Sequence, residues 1–203
     1  MKNSICILLL VISTIASAQK SRNISVAFQN VGSAYPFSQF GKLVSEIEHP
    51  GVEAGYSFNW KSKNKHVWFQ EVKLGYFYHR FVQHAFPFYT DIGYRYQFQK
   101  KWSARVAIGA GYLHSIPATG KFKLNENGEY KNDKGIGRSQ ALAVFNFGTA
   151  YTVHPTGERP VKVFATYQQL IQMPFIKQYV PLLPYNAMLI GVSLPLKKSI
   201  YKK

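Results

Sequence analysis

Apolar and polar residues alternate with a period of two along most of the chain, most clearly between Trp68 and Phe98. Even-numbered positions of this stretch are mostly apolar or aromatic, on both sides of the short polar break Arg80–Ala85. Odd-numbered positions hold its glycines and most of its charges, including Glu71 and Arg95. A period of two indicates β-strands. The stretch therefore predicts two long strands joined by a tight reversal.

The same alternation recurs in six further stretches, which gives eight predicted strands. Their approximate limits are Ile24–Asn30, Val52–Trp60, Trp68–His79, Phe86–Phe98, Trp102–Tyr112, Ala141–Tyr151, Val161–Tyr167 and Met188–Leu196. The connections after the first, fifth and seventh strands are long, whereas those after the second, fourth and sixth are short. No stretch has a helical period of useful length. The chain is therefore predicted to be all-β, with antiparallel strands that pair in sequence order.

One face of the predicted sheet is apolar, and the opposite face combines glycines with charges of both signs. The charged residues on that face are Glu53, Glu71, Lys73, Asp91, Arg95 and Arg105. Six charges in the dry core of a sandwich would be costly, whereas inside a closed barrel they can pair with one another. We therefore predict an eight-stranded antiparallel up-and-down transmembrane β-barrel with a lumen charge network, and Arg95→Leu should destabilise it. A soluble lipocalin-like barrel or sandwich is the alternative.

Aromatic residues concentrate at the ends of the predicted strands. Trp60, Trp68 and Trp102 lie where strands meet short turns, and Tyr78 and Tyr112 lie near the opposite ends. Aromatic side chains of this kind are enriched at membrane–water interfaces. These five residues are the predicted interfacial girdle.

The N-terminus has the features of a secretory signal peptide. Lys2 is followed by a short apolar run that ends in Ala16-Ser17-Ala18. The predicted organisation is a signal peptide over 1–18, a barrel over 19–196 with the mature chain starting near Gln19, and a basic tail over 197–203. The only cysteine, Cys6, lies in the signal peptide, so no disulfide is expected.

The mature chain is strongly basic. The full sequence has a formal net charge of +16, and loss of Lys2 leaves 24 basic and 9 acidic residues. An exported chain rarely meets nucleic acid, so outer-membrane lipid and the phosphates of lipopolysaccharide are the expected partners. A periplasmic or extracellular protein partner is also open.

The longest irregular segment runs from about Ile116 to Gly137. Within it, Lys121–Lys131 predicts a small hairpin, and Asn127-Gly128 suits a type I′ turn. In a barrel of this topology the hairpin would project from the end opposite the chain termini.

Histidines supply the only candidate chemistry. His49, His79, His84 and His114 are predicted at the end of the barrel with the long loops, and His66 and His154 at the other end. No pair has the spacing of a metal motif, so neither a metal nor a cofactor is predicted.

His114 and Ser115, with Glu46 or Glu48 from the first loop, could supply a base, a nucleophile and an orienting carboxylate. Adjacent strand residues face opposite sides of the sheet, however, so His114 and Ser115 should not meet. These four residues are kept as candidates, and no catalytic residue is assigned.

A resemblance emerges at the C-terminal strand. Gly191, Leu194 and Leu196, together with the signal peptide and eight alternating strands, resemble small outer-membrane β-barrel proteins of Gram-negative bacteria. The resemblance implies an outer-membrane location and a terminal strand that the barrel-assembly machinery recognises.

Three functions remain open on the sequence. The first is a structural, adhesive or interaction role through the extracellular loops. The second is an outer-leaflet lipid A-modifying enzyme, either a deacylase or an acyltransferase. The third is a narrow, porin-like channel for small apolar molecules, with a gap lined by Phe69, Phe77 and Leu113.

Overall fold

Eight long strands close into an antiparallel barrel. The computed structural model describes residues 22–33, 38, 40–45, 49–99, 101–120, 122–125, 127–132, 135–153, 155, 160–175 and 181–196. The elements are β1 (Arg22–Ser33), α1 (Phe40–Ser45), β2 (Pro50–Lys63), β3 (His66–His79), β4 (Gln83–Gln97), β5 (Trp102–Pro117), β6 (Phe122–Leu124), β7 (Tyr130–Asn132), β8 (Arg138–Val153), β9 (Val161–Met173) and β10 (Leu183–Pro195). The strand order around the barrel is β1-β10-β9-β8-β5-β4-β3-β2, and β6 and β7 form a separate hairpin. The predicted fold class is confirmed.

Closure of the barrel joins its first and last strands. β1 pairs with β10 from Asn23↔Pro195 to Ser33↔Tyr185, so no sheet edge is left open. The connections β2–β3, β4–β5 and β8–β9 lie at one end, which we call the turn end. The connections β1–β2, β3–β4, β5–β8 and β9–β10 lie at the other, which we call the loop end. The start of β1 and the finish of β10 both lie at the turn end.

Alternation along each strand separates an apolar outer wall from a filled lumen. Ile108, Leu74 and Phe147 point outward and expose 67%, 58% and 57% of their surface. Five of their six lumen-facing neighbours along the strands are buried. An apolar outer wall around a polar interior is the arrangement that a lipid bilayer stabilises. The structure is therefore a transmembrane barrel, with the outer membrane as its location.

Several strands continue further toward the loop end than the alternation predicts. β5 ends at Pro117 instead of Tyr112, β9 ends at Met173 instead of Tyr167, and β10 begins at Leu183. In β9, five consecutive residues, Thr166 to Leu170, are buried. Both faces of the sheet are covered there, which removes the apolar–polar signal on which the prediction depended.

The hairpin predicted within Lys121–Lys131 is present, but its turn is not type I′. The Asn125 N–H donates to Glu129 O at 2.8 Å, and the Gly128 N–H donates to Asn125 O at 3.0 Å. A type I′ turn connects two strands through two residues, whereas the register Leu124↔Tyr130 leaves three residues, 126 to 128, between the bonded residues 125 and 129. A three-residue loop of this kind needs a left-handed residue at its last position, and Gly128 has φ 79° there.

A short helix interrupts the segment between β1 and β2, where only loop was predicted. α1 has six residues, and the helices in the described ranges are too short and polar to cross a membrane. Leu43 of this helix is buried against the barrel. The segment therefore lies on the outer wall near the loop end.

Candidate functional site

Lys73 is the centre of a charge network inside the barrel. Its Nζ lies 3.0 Å from Glu53, 3.5 Å from Glu71 and 3.8 Å from Asp91. Arg105 makes a two-point contact with Glu71, at 3.0 Å and 2.8 Å. All five side chains point into the lumen because they occupy the polar phase of the alternation on β2 to β5. The structure thus brings together five of the six charges assigned to the network.

Arg95, the sixth, has a different role. It is buried in the lumen, but it forms no ion pair with a carboxylate in the part of the chain that the structure describes. Its guanidinium stacks on Phe69 instead, with 4.7 Å from Cζ to the ring centroid. A cation over an aromatic face is stabilised by the ring quadrupole, but its charge is not neutralised.

Neutral polar side chains complete the network across the lumen. The Tyr89 hydroxyl donates to Glu53 at 2.5 Å, and Asn146 Nδ2 donates to Asp91 at 2.8 Å. Gln168 Nε2 donates to Tyr89 Oη at 2.6 Å and to Asn146 Oδ1 at 3.0 Å. These bonds link β2, β4, β8 and β9 through the interior. Such a network holds opposite walls of the barrel at fixed distances.

An apolar layer separates this network from the loop end. Phe77 and Leu113 are completely buried, and Leu142 and Leu170 expose 2% or less. Phe69, on the turn-end side of the network, is also completely buried. The three positions expected to line a channel for apolar molecules are therefore packed against neighbouring side chains.

A glutamine cluster that the sequence did not reveal closes the loop end of the lumen. Gln83 Nε2 donates to Gln172 Oε1 at 2.6 Å and to the Tyr185 hydroxyl at 3.1 Å. Gln172 Nε2 donates to Gln140 Oε1 at 2.5 Å, and the Ser115 hydroxyl donates to Gln83 Oε1. These residues come from five strands, β4, β5, β8, β9 and β10. Only the register of the closed barrel brings them together.

Two of the predicted loop-end histidines pair with each other beside this cluster. The rings of His49 and His79 are stacked, with centroids 3.6 Å apart and an interplanar angle of 10°. His49 Nδ1 lies 2.9 Å from Val31 O, and His79 Nε2 lies 3.3 Å from Ser33 Oγ. This pair fixes the end of the first loop against β3. In the described ranges no three His, Cys, Asp or Glu side chains are grouped as a metal site would require.

His84 and His66 lie outside the lumen. His84 Nδ1 is 3.1 Å from the Tyr76 hydroxyl at the loop end, and His66 bonds the Tyr94 hydroxyl at the turn end. His154 lies outside the described residues.

His114 and Ser115 occupy opposite faces of β5, as their adjacency requires. Ser115 points into the lumen, whereas His114 lies on the outer wall beside Ser139 of β8. The Tyr112 hydroxyl lies 3.0 Å from His114 Nδ1 and 3.1 Å from Ser139 Oγ, and His114 Nε2 lies 2.9 Å from Ile136 O. Glu46 and Glu48, the proposed carboxylates, lie outside the described residues.

The residues assigned to the aromatic girdle lie at the two ends of the outer wall. Trp68 contacts Tyr94 and Trp102 contacts Tyr151 near the turn end, with ring centroids 5.3 Å and 5.0 Å apart. Trp60, also near the turn end, falls at the shift in register between β2 and β3. At the loop end, Tyr78 packs on His84 with centroids 4.8 Å apart, and Tyr112 neighbours His114.

Polar residues also occur on the outer wall near the loop end, where the first loop covers them. Asn30 Nδ2 donates to Leu43 O at 2.9 Å, and Asn186 Nδ2 donates to Ser38 O at 2.9 Å. The Tyr167 hydroxyl donates to Asn186 Oδ1 at 2.8 Å. We call this set of bonds the outer clasp. It satisfies polar groups that would otherwise face lipid.

The β6–β7 hairpin exposes several large apolar side chains at the loop end. Phe122, Leu124 and Tyr130 expose 64%, 56% and 77% of their surface, and Ile136, just after the hairpin, exposes 89%. The hairpin's strands pair only with each other. It therefore carries an apolar surface that the barrel does not cover.

No protein-family model matches the chain, and no curated protein sequence matches it. Similar solved structures include Ail, the attachment invasion locus protein of Yersinia pestis, in complex with the heparin analogue sucrose octasulfate. It has 14% identity and a TM-score of 0.45, with 87% of this chain and 97% of that chain covered. Neisserial surface protein A has 10% identity and a TM-score of 0.46, with 87% and 96% covered. The outer membrane enzyme PagL has 11% identity and a TM-score of 0.43, with 86% and 99% covered. Likenesses at this level support no inference about activity or partners. The fold is assigned from the chain's own strand register and outer surface.

Proposed function

We propose that the chain is an outer-membrane anchor that presents its loop-end segments, above all the β6–β7 hairpin, to a protein partner at the cell surface. The exposed apolar surface of the hairpin carries the proposal. Phe122, Leu124 and Tyr130 lie on one face of the hairpin, and a contiguous exposed apolar patch of this kind is typical of an interaction surface.

The packed lumen supports this assignment over transport. An apolar layer and two polar layers fill the interior, and Phe69, Phe77 and Leu113 have no accessible surface. A barrel of eight strands is just wide enough for its own side chains. The barrel therefore serves to hold the loops at a fixed position above the membrane.

Replacing residues 122–132 by a short Gly-Ser linker tests the proposal. Because β6 and β7 pair only with each other, the barrel should still fold and still shift in mobility on heating. Cells that display the wild-type chain should aggregate or adhere to protein-coated surfaces, and cells that display the deletion should behave like the vector control.

A point-variant comparison separates the hairpin from general surface hydrophobicity. Phe122→Ser with Tyr130→Ser should abolish adherence. Phe81→Ser should not, because Phe81 is 63% exposed but belongs to the tight β3–β4 turn. Equal adherence of wild-type, double-variant and vector cells would refute the proposal.

A second candidate function is hydrolysis of an acyl ester in an outer-leaflet lipid. The observation that favours it is a series of hydrogen-bonded side chains, Ser139, Tyr112 and His114. If His114 Nε2–H donates to Ile136 O, then Nδ1 accepts from the Tyr112 hydroxyl, which in turn accepts from Ser139. Ser139 Oγ would attack the ester carbonyl as its proton passes to Tyr112 and the tyrosine proton passes to His114. The ester C–O bond would then break, the departing alcohol would take the proton from His114, and the acyl group would remain on Ser139. Water would hydrolyse this acyl-serine, which releases the fatty acid and restores the Ser139 hydroxyl.

Mass spectrometry of lipid A from expressing cells tests this second function. Loss of an acyl chain with the wild type and full retention with Ser139→Ala would support it. Lipid A that is identical in vector and wild-type cells would exclude lipid A as the substrate.

A further inference from the structure

Positive charge exceeds negative charge at the turn end of the lumen. Arg95, Arg105 and Lys162 face this part of the lumen, and Glu71 is the carboxylate that interacts with all three, so we call these four residues the cluster. Asp91 and Glu53 interact with Arg105 as well. Both oxygens of Glu71 are already bonded to Arg105, and one of them also faces Lys73. The cluster therefore holds two basic side chains, Arg95 and Lys162, with no carboxylate of their own among the described residues.

The strand register places two of these cations side by side. Arg95 and Arg105 are direct cross-strand partners in β4 and β5, an arrangement of like charges that normally destabilises a sheet. Both guanidinium groups lie near the Phe69 ring, with Cζ 4.7 Å and 5.3 Å from its centroid. Arg95 is 92% buried, so water does little to screen the repulsion.

Two buried donors near the cluster, Arg105 Nε and the Thr166 hydroxyl, have no hydrogen-bond partner among the described residues. One acceptor beside them, Asp91 Oδ1, also has none there. Arg105 pairs across the sheet with Gly148, which pairs in turn with Thr166. Gly148 lies between them with no side chain, and a Cβ there would come within 2.5 Å of Thr166 Oγ1. Unsatisfied donors beside unpaired cations are the groups that bind a negatively charged acceptor.

We propose that the turn end of the lumen is a binding site for one small oxyanion, of the phosphate or sulfate class, held by Arg95, Arg105, Lys162 and Thr166. Guanidinium groups bind tetrahedral oxyanions through directed charge-assisted hydrogen bonds, and the threonine hydroxyl adds a neutral donor. Lys162 is only half buried, so the anion enters from the turn end, which faces the periplasm.

Calorimetric titration of the purified barrel in detergent micelles tests the site, with sodium phosphate and sodium sulfate as ligands and sodium chloride at matched ionic strength. Wild-type protein should bind one phosphate or sulfate saturably and show no comparable binding of chloride. Lys162→Met should weaken binding about tenfold or more, as expected for loss of one charge-assisted bond. Lys63→Met removes an exposed lysine from the same end and should bind like the wild type.

A stability measurement in oxyanion-free buffer separates a binding role from a structural one. Lys162→Met should unfold at the same temperature as the wild type or higher, since it removes an unpaired cation, but phosphate should raise its midpoint less. Arg95→Leu provides a second variant if it folds. Absence of saturable binding to the wild type, or equal binding by wild type and Lys162→Met, would overturn the proposal.

Discussion

At the scale of single residues, Arg95 and Arg105 are cross-strand neighbours in the lumen, but among the described residues only Arg105 has a carboxylate partner. The two arginines have the same phase in the alternation, so the sequence predicts one network for both. In the barrel only Arg105 reaches Glu71, because strand register and side-chain direction place Arg95 on Phe69. Pairing depends on tilt and register across several strands, and a single strand's sequence does not encode these.

Glu71→Gln should be strongly destabilising. The change leaves Arg105 buried without its two-point carboxylate partner. It also removes the ion pair between Glu71 and Lys73. Breaking a buried pair by removal of one partner typically costs about 3–5 kcal/mol. Urea unfolding in micelles, followed by tryptophan fluorescence, measures the loss.

Arg95→Leu serves as the matched comparison on the next strand. We now expect it to be less destabilising than Glu71→Gln in oxyanion-free buffer, because Arg95 has a ring contact but no ion pair. A loss as large as that of Glu71→Gln would mean that Arg95 belongs to the ion-pair network after all.

At the scale of elements, the loop end was the least predictable part of the barrel. Gln83, Gln140 and Gln172 are ordinary polar residues in the sequence, and the first loop has no periodic pattern that predicts α1. On the outer wall, Asn30 and Asn186 interrupt the apolar phase of β1 and β10. That interruption is the one signal that could have located the outer clasp, because a polar residue facing lipid needs a partner.

Asn186→Leu should release the first loop from the outer wall. It removes the bonds to Ser38 O and from the Tyr167 hydroxyl, so α1 should open more often. Loss of a hydrogen bond that contributes about 1–2 kcal/mol raises the fraction of molecules with the first loop released about 5–30-fold. Trypsin cleavage after Lys42, an exposed residue of α1, reports this opening on folded protein.

Ile190→Leu provides a control on the outer face of the same strand. Ile190 is 61% exposed and takes no part in the outer clasp. It should be cleaved at the wild-type rate. Equal cleavage of Asn186→Leu and wild type would show that the clasp does not hold the loop.

At the scale of the whole molecule, the fold was accessible from the sequence because the membrane imposes one pattern on every strand. Lipid requires apolar side chains on one face, and the narrow lumen requires small or paired polar side chains on the other. Eight repeats of that pattern, with short and long connections, leave few topologies. The pattern does not predict how the side chains inside the barrel pack. In the structure they form three layers that fill the lumen: the charge network, the apolar layer and the glutamine cluster.

Ile108→Arg and Phe122→Arg test the membrane-spanning surface directly. The two side chains are almost equally exposed, at 67% and 64%, but Ile108 lies mid-strand on the outer wall and Phe122 lies on the β6–β7 hairpin. An arginine at the bilayer midplane of a barrel costs about 2–4 kcal/mol, whereas one outside the membrane costs little. Expression of the full 203-residue chain, followed by fractionation and a gel of boiled and unboiled samples, should show a heat-dependent shift in outer-membrane protein. Ile108→Arg should reduce the shifted, folded fraction and Phe122→Arg should not. The two positions are almost equally exposed, so only contact with lipid should make their arginine variants differ. If both variants accumulate in the outer membrane as the wild type does, the exposed apolar wall does not face lipid.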